Sequence, residues 1–143
     1  MGALPQWSGV PGKRSAVKLQ QRGRGVEAER AAETFLLRQG LRIVARNYRT
    51  ARGEIDIIAD DGGTLAFIEV RMRSGSAFGG AGESIDRRKR ERIVAAARHF
   101  LARSLSAEPP CRFDAMLLTP PAPRNPDEYA VEWLRDAFRA DDV

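Results

Sequence analysis

Four ionisable side chains, Glu54, Asp56, Glu69 and Arg71, fall in two short β-rich runs of this chain. The runs are Gly53-Glu54-Ile55-Asp56-Ile57-Ile58-Ala59 and Leu65-Ala66-Phe67-Ile68-Glu69-Val70-Arg71-Met72-Arg73, separated by Asp60-Asp61-Gly62-Gly63. Such a pair joined by a Gly-containing turn reads as a hairpin, because glycine accepts the positive φ of a tight reversal. Side chains alternate across a strand, so Ile55, Ile57 and Ala59 share one face, as do Ala66, Ile68 and Val70. Pairing Ala59 with Thr64 sets Ile57 opposite Ala66 and Ile55 opposite Ile68. Both apolar triplets then lie on one side, and a one-residue slip would undo the match. Glu54, Asp56, Glu69 and Arg71 are left on the other face, with Asp56 and Glu69 as diagonal neighbours. Crowded carboxylates repel one another, and burial costs each of them roughly several kcal/mol. Arg71 can compensate, and so can a divalent cation, since Mg²⁺ takes one or two carboxylates and leaves its other positions to water and substrate phosphate. On spacing alone, an ordinary Glu/Arg cross-strand pair on a solvated face is the alternative.

Other elements must hold this hairpin. Gly25 to Gln39 predicts a helix, with Ala28, Ala31, Ala32, Phe35 and Leu36 at spacings of three and four and Gly40 as the stop. Glu29 falls on or beside that apolar stripe. Leu41 to Arg49 predicts a strand, with Leu41, Ile43 and Ala45 on one face and Arg42, Val44 and Arg46 on the other, extending the hairpin into a three-stranded antiparallel sheet. Ile58, Leu65 and Phe67 are apolar although they share the acidic face. Helices on both sides of the sheet account for this and leave the acids at one end of a covered surface.

Arg73 to Gly82 reads as a mobile loop near the acids, and lacks the Gly-Lys-Ser/Thr of a P-loop. A second helix is expected from about Glu83 to about Arg103. Its Arg87, Arg88, Lys89, Arg90 and Arg92 form either a solvated face or a phosphate-contacting one. Ile85, Lys89 and Ile93 step by four, so Lys89 points inward toward the sheet. Cys111 to Leu118 is a further strand, in which a buried Asp114 bonded to Arg112 is a structural feature. Tyr129 to Trp133 reads as a short strand and Leu134 to Ala140 as a closing helical turn or two. His99 has no Ser or Cys context for a triad, and Cys111 is read as a small buried hydrophobe.

The 143 residues, 43% hydrophobic and 30% charged, fit one globular domain. No apolar run approaches the roughly 20 residues of a membrane helix, and Met1 to Gly12 has no secretory pattern, so no membrane partner is expected. A single cysteine excludes an internal disulfide or a cysteine-rich zinc site and suits a reducing cytoplasm. The net charge of +5 comes from Lys13, Arg14, Lys18, Arg22 and Arg24, which precede the first acid, Glu27. Residues 1–24 are therefore expected to form a basic disordered tail, either phosphate-attracting or merely solubilising, ahead of a domain spanning 25–143.

The succession Glu29-x-x-Ala32-x-x-Phe35-Leu36, Gly40, Asn47, Gly53 to Ala59, Phe67-Ile68-Glu69-Val70-Arg71-x-Arg73, Phe78-Gly79, Lys89, Arg112-Phe113-Asp114 and Ala137-Phe138 resembles the bacterial YraN family of uncharacterised proteins (UPF0102). The resemblance runs from about Gly25 to Phe138. It implies an α/β, restriction-endonuclease-like αβββαβ core of the PD-(D/E)xK type, a mixed sheet flanked by helices, similar to Holliday-junction resolvases. By position it makes Glu29 the helix acid, Asp56 the strand acid and Glu69 the third-strand acid of a phosphodiesterase site using Mg²⁺ or Mn²⁺. Asp56, Glu69 and the Val70 carbonyl would be metal ligands, and Glu29 would hold a second metal or a metal-bound water. Arg71 stands where the motif has lysine, and a guanidinium, unlike an ammonium, hardly serves to deprotonate an attacking water. Three consequences are open: Arg71 is an electrostatic clamp, Lys89 supplies the missing ammonium, or the protein binds nucleic acid or another protein without cutting. Arg46, Arg49, Arg73, Arg87, Arg88 and Lys89 are the expected backbone contacts on nucleic acid, preferentially structured DNA. By analogy with junction resolvases, a homodimer is admitted.

Overall fold

The computed structural model describes residues 16–73, 85–104, 108–124 and 128–142. The fold is α/β with a restriction-endonuclease-like αβββαβ core. Its elements are α1 (Ala16–Arg38), β1 (Arg42–Arg49), β2 (Glu54–Asp61), β3 (Thr64–Met72), α2 (Arg87–Ser104), β4 (Cys111–Thr119) and β5 (Ala130–Phe138), followed by a short 3-10 helix, Ala140–Asp142. The sheet is five-stranded in the order β1-β2-β3-β4-β5. All neighbours are antiparallel except β3 and β4, which are parallel and bracket α2 as a crossover.

Both faces of the sheet are covered. On one, Ala28, Ala32 and Leu36 of α1 pack on Ile57, Ala59, Ala66, Ile68, Met116 and Leu118. On the other, Ile93, Val94, Ala96, Ala97 and Phe100 of α2 pack on Ile58, Phe67, Phe113 and Ala115. That double cover is why Ile58 and Phe67 are apolar despite sharing a face with acids. Among the described residues no helix is long and apolar enough to cross a membrane.

The hairpin keeps the expected faces from Ile57 onward, with Ile57 and Ala59 in the α1 layer beside Ala66 and Ile68, but Ile55 packs in the α2 layer and the register differs from the expected one. Ala59 pairs with Ala66, Ile57 with Ile68 and Asp61 with Thr64, two residues from the expected pairing. The cause is the turn: Gly62 and Gly63 both adopt positive φ, 60° and 101°, and the Gly63 N–H donates to Asp60 Oδ1 at 2.8 Å. A two-residue reversal of this kind is the tightest available, and glycine alone takes it without strain. A slip of two preserves the faces but brings Asp56 and Glu69 directly opposite rather than diagonal.

Four further expectations are corrected. The first helix starts at Ala16, not Gly25, so residues 16–24 are helical rather than disordered; Ala, Leu, Lys, Gln and Arg there are good helix formers although they show no apolar period. In β1 the register shifts between Ile43 and Ala45, which puts Ile43 in the α1 layer and Ala45 in the α2 layer instead of on one face. Leu134–Phe138 continues β5 rather than turning helical: Ala115 pairs with Leu134 and Phe113 with Phe138, the extra residues forming a bulge in which Asp136 has φ 54°. Cys111, read as buried, is exposed. Residues 1–15 and the glycine-rich stretch 74–84 lie outside the described residues.

Candidate active site

The ladder between β2 and β3 ends at Ile57–Ile68, while β3 stays paired with β4 as far as Met72–Leu118 and β2 stays paired with β1 as far as Glu54–Arg49. Where the ladder ends, the Asp56 side chain takes over: its Oδ2 accepts the Val70 backbone N–H at 2.8 Å. The carboxylate therefore bridges the two strands at the mouth of their fork. Glu69, one step along β3 from Ile68, faces it and is 7% exposed.

Helix α2 completes the site. Asp86 caps it, its Oδ1 accepting the Lys89 N–H at 2.8 Å. Lys89 points inward as expected, and its Nζ lies 3.6 Å from both Glu54 Oε1 and Glu69 Oε1. These are ion pairs longer than a good hydrogen bond. Gly53 sets the approach of strand to helix: a β-carbon there would lie 1.8 Å from the Arg92 carbonyl oxygen. Only glycine admits that contact, so the start of β2 and the Lys89 turn of α2 are locked together.

The electrostatics are under-compensated. Glu69 Oε2 is buried with no hydrogen-bond donor. Burial first, then the adjacent Asp56 charge, pushes the Glu69 carboxyl up to about 8, against the pull of Lys89 and Arg71. Asp56 is also raised, by burial, although the Val70 N–H and Lys89 oppose the shift. Burial and mutual repulsion thus disfavour both acids being charged at once. Tightly apposed oxygen ligands with an orphaned lone pair and no sulfur or imidazole fit a hard cation such as Mg²⁺ or Mn²⁺.

The expected residues divide. Asp56, Glu69 and Lys89 come together, and Arg71 is near enough for its charge to act on Glu69. Glu29 does not join them. It stands on α1, which packs on the opposite sheet face, and among the described residues no group of three His, Cys, Asp or Glu could hold a metal. Glu54, gathered with Asp56 and Glu69 from sequence but assigned no ligand or catalytic role there, is the second acid held by Lys89. Arg46 lies toward α1 and is clamped by Glu33 through Nε at 2.8 Å and through Nη2. Arg49 pairs with Glu54 at 3.6 Å, Arg73 with Glu132, and Arg87 with Glu91 at 3.3 Å. Arg88 is exposed.

The model of the uncharacterised protein family UPF0102 matches residues 28–118, which contain Asp56, Glu69 and Lys89. The chain belongs to this family. It is 49% identical over 116 residues to a UPF0102 protein of Methylobacillus flagellatus, covering 81% of this chain and 96% of that one. A UPF0102 protein of Paracidovorax citrulli is 49% identical over 144 residues, 98% of this chain and 99% of its own. One of Nitrosospira multiformis is 51% identical over 115 residues, 80% and 92% of the respective chains. The Arg71 departure from the superfamily motif thus sits in a member of a family described as uncharacterised.

Proposed function

We propose that this UPF0102 protein is a divalent-metal-dependent endonuclease acting on DNA phosphodiesters, selective for the shape of its substrate. The observation that carries this reading is the cross-strand pair at the β2/β3 fork, a half-buried Asp56 facing a buried Glu69 whose Oε2 lacks any donor. A stable fold gains nothing from two adjacent under-compensated acids, whereas a cation site requires them. Asp56 and Glu69 would hold Mg²⁺ or Mn²⁺. The ion, when bound, supplies Lewis-acid polarisation of the phosphate and a lowered pKa for the attacking water.

The chain's own residues do the rest. Lys89 Nζ, 3.6 Å from Glu69 Oε1, is positioned to serve as the ammonium that Arg71 replaces in the motif. It neutralises the pair at rest and stands where negative charge would build on phosphorus-bound oxygens. Arg71 would act as a fixed cationic clamp on the phosphate. No sequence-reading motif is evident in the chain, which is why shape rather than base sequence is proposed as the determinant.

The presence of Arg71 in place of lysine favours a second reading, a nucleic-acid binder that keeps the fold without cutting. Both are tested by incubating labelled linear, single-stranded, flapped and four-way-junction DNA with Mg²⁺ and then Mn²⁺, beside Asp56→Ala. Metal-dependent cutting that disappears in the variant supports the nuclease. Binding without cutting in the wild type, with either metal, rejects it in favour of the binder.

A further inference from the structure

Of the five arginines expected to contact nucleic acid, Arg46, Arg49, Arg73 and Arg87 are engaged by acids of the chain, and the fifth, Arg88, lies beside Arg52 and Arg92. Arg52, Arg88 and Arg92 are exposed, and no acidic partner meets them among the described residues. Three observations bring them to one side of the fork. The turn before β2 is rigid: the Arg52 and Gly53 N–H groups both donate to Thr50 Oγ1, at 3.2 and 3.0 Å, and the Thr50 N–H returns to the Gly53 carbonyl at 2.8 Å. Gly53 presses that turn onto the backbone of α2 at Arg92. Arg88 and Arg92 are one helical turn apart, about 6 Å between β-carbons. On the same flank of α2, His99 is bonded to Tyr48 of β1, so this flank faces β1 and its turn. Arg103 continues the flank, close enough for its charge to act on Tyr48.

Resting on the reading of the fork as a nucleic-acid site, we infer that Arg52, Arg88, Arg92 and Arg103 form a cationic rail that takes the phosphate backbone of a duplex arm leading into it. Arg88 to Arg103 covers fifteen residues of helix, roughly 22 Å at 1.5 Å per residue. A rail of that length follows about six base pairs at 3.4 Å each. The contacted substrate is thus double-stranded on the rail side of the scissile bond, with single-stranded or branched character confined to the fork. Free guanidinium groups suit this role, because a phosphate does not first have to displace an internal carboxylate.

The test measures binding of a labelled linear duplex and of a labelled four-way junction over a range of salt, with Ca²⁺ in place of Mg²⁺. The proteins are the full chain, the combined Arg52→Gln, Arg88→Gln, Arg92→Gln variant, and a control that removes equal charge elsewhere, Arg30→Gln, Arg38→Gln, Arg124→Gln. Circular dichroism melting establishes that each is folded. The rail variant is expected to bind at least about tenfold more weakly at low salt, with the slope of log affinity against log salt shallower by about 3. The control retains wild-type slope. Wild-type binding with an unchanged slope in the rail variant, or equal losses in rail and control, overturns the rail and leaves the nuclease reading intact. Failure of the wild type to bind either probe overturns that reading, and the rail with it.

Discussion

Asp114 and the Asp56–Glu69 pair, in which Glu69 is buried and Asp56 half-buried, stand on strands of the same sheet, on opposite faces, and their surroundings are inverted. Asp114 is fully buried and saturated. Arg112 Nε donates to its two oxygens at 3.0 and 3.1 Å, Trp133 Nε1 donates at 3.1 Å, and the Asp136 N–H donates at 2.9 Å. Arg112 is itself anchored at 2.8 Å by Asp61. At the fork, Asp56 has one backbone donor, Glu69 Oε2 has none, and the cation between Glu69 and Glu54 stands 3.6 Å from each. One acid organises the chain, since its bonds to Trp133 and Asp136 hold the β5 bulge closed. The other pair is left short of positive partners, which is how a binding site differs from a structural one.

The largest expected effect breaks the saturated centre. Asp114→Ala strands the Arg112 guanidinium, the Trp133 indole N–H and the Asp136 amide, and should cost about 3–5 kcal/mol. Urea unfolding reads this directly, and a loss under 1 kcal/mol would remove the contrast between the two centres. Next comes Lys89→Ala, expected to slow metal-dependent cleavage about a hundredfold. It should also lower stability at pH 8, because it deprives Glu69 and Glu54 of their shared cation. Undiminished cleavage would return the ammonium's role to the metal and Arg71 alone.

A smaller effect, opposite in sign, is expected from Glu69→Gln. Its folded-state carboxyl is raised from an ordinary 4.5 to about 8, so between those values the native protein binds more protons than the unfolded chain. Stability should therefore be full below the lower value and decline as pH rises toward and through 8. The glutamine variant escapes this decline and should gain on the order of 2 kcal/mol over wild type at pH 8 while losing cleavage. Thermal melts of both proteins between pH 5 and pH 9 check it. Parallel profiles would show that Glu69 is not under-compensated. Metal binding at the proposed site would compete with protonation of Glu69, so Mn²⁺ should raise the wild-type melting temperature more at pH 8 than at pH 6 and leave Glu69→Gln unmoved.

How far these centres could be read from sequence depended on whether a local period carried them. A two-residue slip preserves the alternation, so the gathering of the acids is legible from sequence; their direct opposition is not, and neither is the turn of Ile55 into the α2 layer, away from Ile57 and Ala59. Lys89 was legible because Ile85 and Ile93 flank it at helical spacing. The bulge at Val44 was not legible, and neither was the course of β5 past Trp133, where Arg135-Asp136-Ala137 lose alternation and the strand is held by a bond from Asp136 to Asp114 across the sheet. The arginine partners were equally hidden. Whether Arg46 meets a phosphate or Glu33 depends on how α1 lies over β1, which no spacing within β1 encodes.

That last case yields the smallest prediction and the sharpest separation of the two faces. Arg46 was an expected phosphate contact, but it lies on the α1 side and binds Glu33, which is correspondingly held below the usual carboxylate range by that hydrogen bond. Arg46 is largely exposed, so the pair contributes little. Arg46→Gln should cost under about 1 kcal/mol. Because the Glu33 shift is downward, its contribution is present at neutral pH and fades as pH falls through the depressed value, the reverse of Glu69. The same substitution should leave duplex affinity and its salt slope at wild-type values, since Arg46 does not belong to the face that carries the fork. A slope reduced by about 1 would mean that Arg46 leaves Glu33 for a phosphate. In that event the bound duplex wraps onto the α1 side, and the division between a structural face and a functional face would have to be redrawn.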